Sequence, residues 1–166
     1  MKAIYWKEIN AYFNAQIAYL AICIFIIILG LIAWVFPETS VLEYAYADLS
    51  VVFSTAPYVL MFLVPAITMR LFAEEKKEGT IELILTKPIG ITEVVFAKYF
   101  AAATIIIISL LSIIIYYISI YFLGSPVGNI DTAGFFGSFI GLILLAMIFV
   151  SVGVTASTFT KNQVSA

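Results

Sequence analysis

Residues 70–98 read Arg70-Leu-Phe-Ala-Glu-Glu-Lys-Lys-Glu-Gly79-Thr-Ile-Glu-Leu-Ile-Leu-Thr-Lys-Pro88-Ile-Gly-Ile-Thr-Glu-Val-Val-Phe-Ala-Lys98. This is the one long segment that reads as water-soluble. Five of the eight basic residues, Arg70, Lys76, Lys77, Lys87 and Lys98, fall within it. On both sides the chain is compatible with hydrocarbon for long runs. The segment therefore reads as a loop between membrane spans, and the fold follows from counting the spans on each side of it.

Composition supports this. The 166 residues are 64% hydrophobic and 11% charged, whereas a soluble domain is about half apolar and about a quarter charged. A core of this size cannot hide the excess, because small domains leave much of their surface in water. The apolar residues also lie in runs long enough to cross a bilayer. There is no histidine, hence no commonest general base or metal ligand. The lone Cys23 can form neither an internal disulfide nor a metal cage and reads as a small packing or lipid-facing side chain.

Working outward gives an all-α, polytopic helical bundle forming a single domain over residues 1–166. Residues 1–16 are predicted to be an amphipathic helix lying on the membrane, with Ile4, Tyr5, Ile9, Tyr12 and Phe13 on one face and Lys7, Asn10 and Asn14 on the other. The apolar run that follows is too long for a cleaved signal peptide, and no small-x-small site closes it. The spans are predicted at 17–36, 51–69, 99–123 and 135–159, each near the 20 residues needed to cross about 30 Å of hydrocarbon. Pro57 and Pro65 should loosen or kink the second. Thr92 is a fair N-cap, with Glu93 at the positive end of a helix reaching about Leu123, so its first turn or two should stand outside the membrane. In the fourth span Gly137-x-x-x-Gly141 has the spacing that lets helices approach closely, as a packing face within the chain or between subunits.

The two loops on one side, 37–50 and 124–134, contain no Lys or Arg, so all eight basic residues fall on the other side. The positive-inside rule places both termini and the 70–98 loop in the cytoplasm. The spans so drawn contain no ionisable side chain other than tyrosine and cysteine. That counts against a proton relay or a fixed charge for substrate at mid-membrane, and so against half of a secondary transporter. Phosphate-loop, His-Glu-x-x-His and Gly-x-Ser-x-Gly patterns are all missing, so no metal or catalytic residue is expected and any energised work must draw on another chain. Nothing in the charge pattern points to nucleic acid.

Within the loop, Glu74-Glu75-Lys76-Lys77-Glu78 should continue the second span as a helix that Gly79 stops. Thr80 can cap a second, short helix, 81–86, with Glu82 near its N-terminus and Pro88 beyond its end. Its Ile81, Leu83, Ile84 and Leu85 are too apolar for free solution. It wants a groove in a partner, the lipid headgroups or its own bundle, and the residues alone leave these open.

The pattern Arg70-x-Phe72-x-x-Glu75-Lys76-x-x-Gly79-Thr80-x-Glu82-Leu83-x-Leu85-Thr86-x-Pro88, with Lys98 at the foot of the next span, resembles the first cytoplasmic loop of ABC-2 type transporter permeases. With Pro65-Ala-Ile-Thr-Met-Arg70, Gly124-x-Pro126-Val-Gly128-Asn129-Ile-Asp131 and Ala156-Ser157-Thr158, the whole chain resembles the gliding-motility-associated members of that family. The resemblance implies a permease subunit of an ATP-driven exporter in the bacterial inner membrane. ATP would be bound by a separate ABC ATPase subunit, and a second permease or auxiliary membrane subunit would complete the complex. The N-terminal helix would be a connecting helix on the cytoplasmic face. Gly79, Thr80, Glu82 and Leu83 would belong to a coupling helix seated in the ATPase, supported by Glu75 and Lys76. The family has six spans and this chain offers four, so the resemblance also implies a C-terminally truncated form. The alternative is a non-transporting membrane scaffold that docks a cytoplasmic partner through the same loop.

Overall fold

The computed structural model describes residues 1–36, 41, 48–69, 71–72, 75, 79 and 90–159. Among the described residues the helices run in the order α1 (Lys2–Asn14), α2 (Ile17–Trp34), α3 (Ser50–Thr68), α4 (Ile91–Leu111), α5 (Ile113–Leu123) and α6 (Thr132–Phe159). No strand occurs among the described residues. Among the described residues, four helical lengths are long and apolar enough to cross a membrane: α2, α3, the joined α4–α5 over Ile91–Leu123, and α6. The short helix expected at 81–86 lies outside the described residues.

The apolar face expected of α1 is turned inward, with Ile9 and Tyr12 buried and Ile4, Tyr5 and Phe13 half-buried. It packs chiefly against α4 rather than only along a membrane surface. Ala15 and Gln16, the latter at φ 60°, separate α1 from α2. Along α2 the buried residues Ala18, Ala21, Phe25, Leu29 and Ala33 recur at three- and four-residue intervals, the spacing that keeps one helix face on its neighbours. The other side exposes Leu20, Ile24, Ile27 and Leu31. Such residues are at home against lipid.

α3 runs through Pro57 and Pro65 without ending. Each proline lacks the donor that the carbonyl four residues back would receive. The helix after the loop begins at Ile91, not at Glu93. Gly90 is its N-cap in extended conformation, and the Gly90 carbonyl accepts from the Glu93 and Val94 amides. Thr92 is therefore inside the first turn, and the capping role expected of it is not realised. Glu93 does sit in the first turn and pairs with the N-terminal amino group at 3.5 Å. At the start of α6 the Asp131 carboxylate accepts from the Gly134 amide at 3.0 Å, which begins that helix three residues before the predicted Phe135.

The core is formed by Phe25 and Leu29 of α2, Leu60, Val64 and Ile67 of α3, Ile105, Ile106 and Leu110 of α4, and Val150 of α6. α3 and α6 share the largest contact between elements. Their close approach rests on Gly153, where an added Cβ would meet the Thr68 Cβ at 3.0 Å. Gly137 and Gly141 are exposed and have open space around them. The packing face within the chain expected of that pair is thus corrected: Gly153 supplies it, and Gly137 and Gly141 look away from the bundle. Gly153→Val is expected to cost about 1–3 kcal/mol by overpacking. Gly137→Val should leave the unfolding temperature in detergent within a degree or so of the parent, its cost being confined to a few tenths of a kcal/mol.

Candidate functional site

The site is built where the chain leaves α3. Leu71, Phe72 and Glu75 are helical and buried there. Lys98, in the second turn of α4, is completely buried beside them at 0% exposure. An ammonium in such a place is costly unless paired and hydrogen-bonded. Its Nζ lies 3.0 Å from Glu8 Oε1, 2.9 Å from Glu75 Oε2 and 2.6 Å from the Leu71 carbonyl. An ammonium has three protons, and three oxygens surround it. The Phe72 ring covers it with its centroid at 5.0 Å, within cation–π range.

Lys7 of α1 completes the cluster, donating to Glu75 Oε1 at 2.8 Å with Glu8 Oε1 3.7 Å away. Two lysines and two glutamates therefore neutralise each other across three elements. Burial pushes the Glu75 carboxyl up, but the Lys98 charge and the hydrogen bonds from Lys7 and Lys98 outweigh it and hold the group below its usual range. Partial burial pushes the Lys7 ammonium down, but the hydrogen bond and charge of Glu75, helped by Glu8, outweigh it and hold the group above its usual value.

Side chains from elsewhere also seize the backbone of this exit. Tyr12 of α1 donates to the Ile67 carbonyl at 2.9 Å. Ser157 of α6 donates to the Met69 carbonyl and accepts from the Phe72 amide, both at 3.1 Å. With Lys98 on Leu71, side chains of α1, α4 and α6 all grip the backbone between Ile67 and Phe72. Helix ends leave carbonyls short of donors, and a cation at a helix C-terminus also complements the helix dipole. The arrangement performs no bond chemistry of its own. It ties Leu71, Phe72 and Glu75, just beyond α3, to α1, α4 and α6.

Of the residues predicted to contact a partner, Glu75 is a central member of this cluster. Gly79 adopts φ +68°, a conformation that glycine enters without steric cost. Lys76, Thr80, Glu82 and Leu83 lie outside the described residues. Sequence reasoning missed Lys98 and Glu8 as the heart of the site. The signal for Glu8 was there: it falls between Tyr5 and Tyr12, four residues after Ile4, inside the apolar stripe of α1. Drawing the third span from Tyr99 placed Lys98 just outside it, whereas the helix Ile91–Leu123 includes both Glu93 and Lys98.

No curated protein and no solved structure matches the chain. The model of the ABC-2 family transporter proteins matches residues 2–166. Proteins of that family are transmembrane components that lack an ATPase site and imply an ABC ATPase as partner. With that match and its four helices able to cross a membrane, the chain belongs to the ABC-2 family of transporter proteins as a multi-pass membrane component.

Proposed function

We propose that this chain is the permease subunit of an ATP-driven exporter in the bacterial inner membrane, and that residues 70–90 dock a separate ATPase on the cytoplasmic side. ATP binds to that partner, and this chain carries no cofactor. The observation that carries the reading is the buried Lys98, which joins the departing loop to α1 and α4 through Glu8, Glu75 and the Leu71 carbonyl. A loop that only covered the membrane would gain nothing from so costly a joint. A loop that is pushed by a partner needs one, because force reaches the spans only through rigid contacts.

In this reading both termini face the cytoplasm, as the eight basic residues favour. Glu75 and Lys76 support the docking element, and Gly79, Thr80, Glu82 and Leu83 form it. A second permease or auxiliary membrane subunit pairs with the chain, and the outward Gly137 and Gly141 offer one surface for it. The Gly124–Asp131 connection supports a place among the gliding-motility-associated permeases.

The test is co-expression with the ATPase encoded beside it, followed by pull-down with the parent loop and with Glu82→Ala plus Leu83→Asp. The parent is expected to retain the ATPase, and the double variant to lose at least tenfold in affinity while still inserting in the membrane, about 1.4 kcal/mol or more. Binding that survives the double change overturns the docking role and favours the scaffold alternative. For the narrower assignment, deletion of the gene should abolish surface spreading of the source bacterium.

A further inference from the structure

We propose that the third span is a two-part lever: α4 moves with the departing loop and α1, and it bends at Ser109–Ser112 against an α5 pinned to its neighbours. The proposal rests on the permease reading above and adds where in the membrane a push on the loop is absorbed.

The lower arm is bound to the loop by Lys98 and to α1 by two contacts, Lys98 with Glu8 at 3.0 Å and the Tyr5 hydroxyl with Thr104 Oγ1 at 2.9 Å. Its buried face is rich in alanine, with Ala97, Ala101, Ala102 and Ala103. Small side chains let neighbouring helices lie close along this arm, which also packs against α2 and α6. Tyr99 reaches the Met147 carbonyl of α6 at 3.3 Å, which is long for a hydroxyl donor.

The upper arm is fastened differently. The Tyr116 hydroxyl donates to the Ile26 carbonyl of α2 at 2.5 Å. Gly30 makes room for it, since a Cβ there would come within 2.8 Å of that hydroxyl. Tyr117 bonds Thr132 at 3.1 Å and packs its ring, tilted by 36°, against Phe135 with centroids 4.4 Å apart. Phe135 in turn meets Phe53 of α3 at 5.4 Å. α5 is thus attached to α2, α6 and, through Phe135, α3.

Between the arms the helix tightens. The Ser112 amide donates to the Ser109 carbonyl at 3.2 Å and the Ile115 amide to the Ser112 carbonyl at 3.0 Å, both three residues back instead of four. Such a stretch inside a longer helix marks a place where it yields. In hydrocarbon an unbonded carbonyl is costly, so a bend there needs its own donors. They are present and buried: the Ser112 hydroxyl bonds the Ser109 carbonyl at 2.6 Å, and the Ser109 hydroxyl bonds the Ile105 carbonyl at 3.0 Å.

The test places spin-label pairs at Ile27 with Phe96 and at Ile27 with Phe122, all exposed side chains, in a Cys23→Ala background. The chain is studied in lipid nanodiscs with the ATPase subunit, with and without ATP and vanadate. The arm from Ser112 to Phe96 is about 24 Å long, so a swing of about 10–15° moves its tip by about 4–6 Å. We expect the Ile27–Phe96 distance to shift by that amount and the Ile27–Phe122 distance to stay within the width of its distribution. In Ser109→Ala/Ser112→Ala the shift should fall to about half or less, with the Ile27–Phe122 distance serving as the check on folding. Equal shifts in both pairs, no shift with ATPase bound, or a full shift in the double serine variant each overturn the lever. Failure of the ATPase to bind the unaltered chain instead removes the permease reading, and the lever with it.

Discussion

Lys98→Met is expected to lower the stability of the folded chain by about 3–5 kcal/mol, the cost of breaking a buried ion pair by removing one partner. Methionine fills much the same volume, so the loss is electrostatic and not a packing defect. Glu8 and Glu75, each only about a tenth exposed at the side chain, would be left with Lys7 alone, and the Leu71 carbonyl would lose its donor. The measurement is chemical unfolding in mixed micelles, comparing parent, Lys98→Met, and Lys98→Met combined with Glu8→Gln and Glu75→Gln. The combined variant should recover at least half of the loss, because neutral side chains no longer need a buried cation. A combined variant no better than the single one would mean that Lys98 acts through its contact with Phe72 and its stem, not its charge.

The second large effect is in Glu75 and its dependence on pH. Glu75→Gln is expected to cost about 1.5–3 kcal/mol at neutral pH, the range for hydrogen bonds to charged groups. The sign of the pH effect follows from the carboxyl being held below the reference value of 4.5. The folded state binds the proton more weakly than the unfolded chain does, so the stabilisation is complete above pH 4.5 and is lost as pH falls through the lower folded value. Lys7 runs the other way. Its ammonium is held above 10.5, so its contribution is complete below that pH and disappears as pH rises through the raised value. Unfolding temperatures across the pH range should therefore show a plateau with a fall at each end, and Glu75→Gln should flatten both ends relative to the parent. An acid limb unchanged in Glu75→Gln would place that titration in another carboxylate.

The spans were legible in the sequence because length and hydropathy decide them. Three of the four helices able to cross a membrane begin and end within three residues of the expected bounds, while the third begins at Ile91, eight residues before the expected Tyr99. The facing of the spans was not legible, and α6 shows why. In a soluble helix the polar side points to water and so orients the apolar side. In a membrane span both lipid and core are apolar, so hydropathy carries no direction. Gly137 and Gly141 caught the eye by their spacing, yet it was Gly153, outside any repeat, that met Thr68. The charged cluster was half legible. Glu75 stood out through the family pattern of the loop, while Lys98 looked like a boundary marker. Its partner Glu8 is 90 residues away in the chain. Only the crossing of α1 over α4, which no local pattern encodes, brings the two together.

The direct join between α1 and α2 sets a tolerance on chain length. Ala15 and Gln16, the latter at φ 60°, make the turn between them, which leaves little loop to absorb an added residue. Each residue added or removed on a helix rotates what precedes it by about 100° and shifts it by about 1.5 Å. One extra residue between Asn14 and Ile17 would swing Glu8 away from Lys98 and carry Tyr12 off the Ile67 carbonyl together. Changes of identity at the joint are a milder matter: Gly or Asn at position 16 enters that left-handed conformation readily. Insertions and deletions at this point should thus be far more harmful than any single replacement there, although the residue itself is exposed and touches neither end of the ion pair it keeps in register.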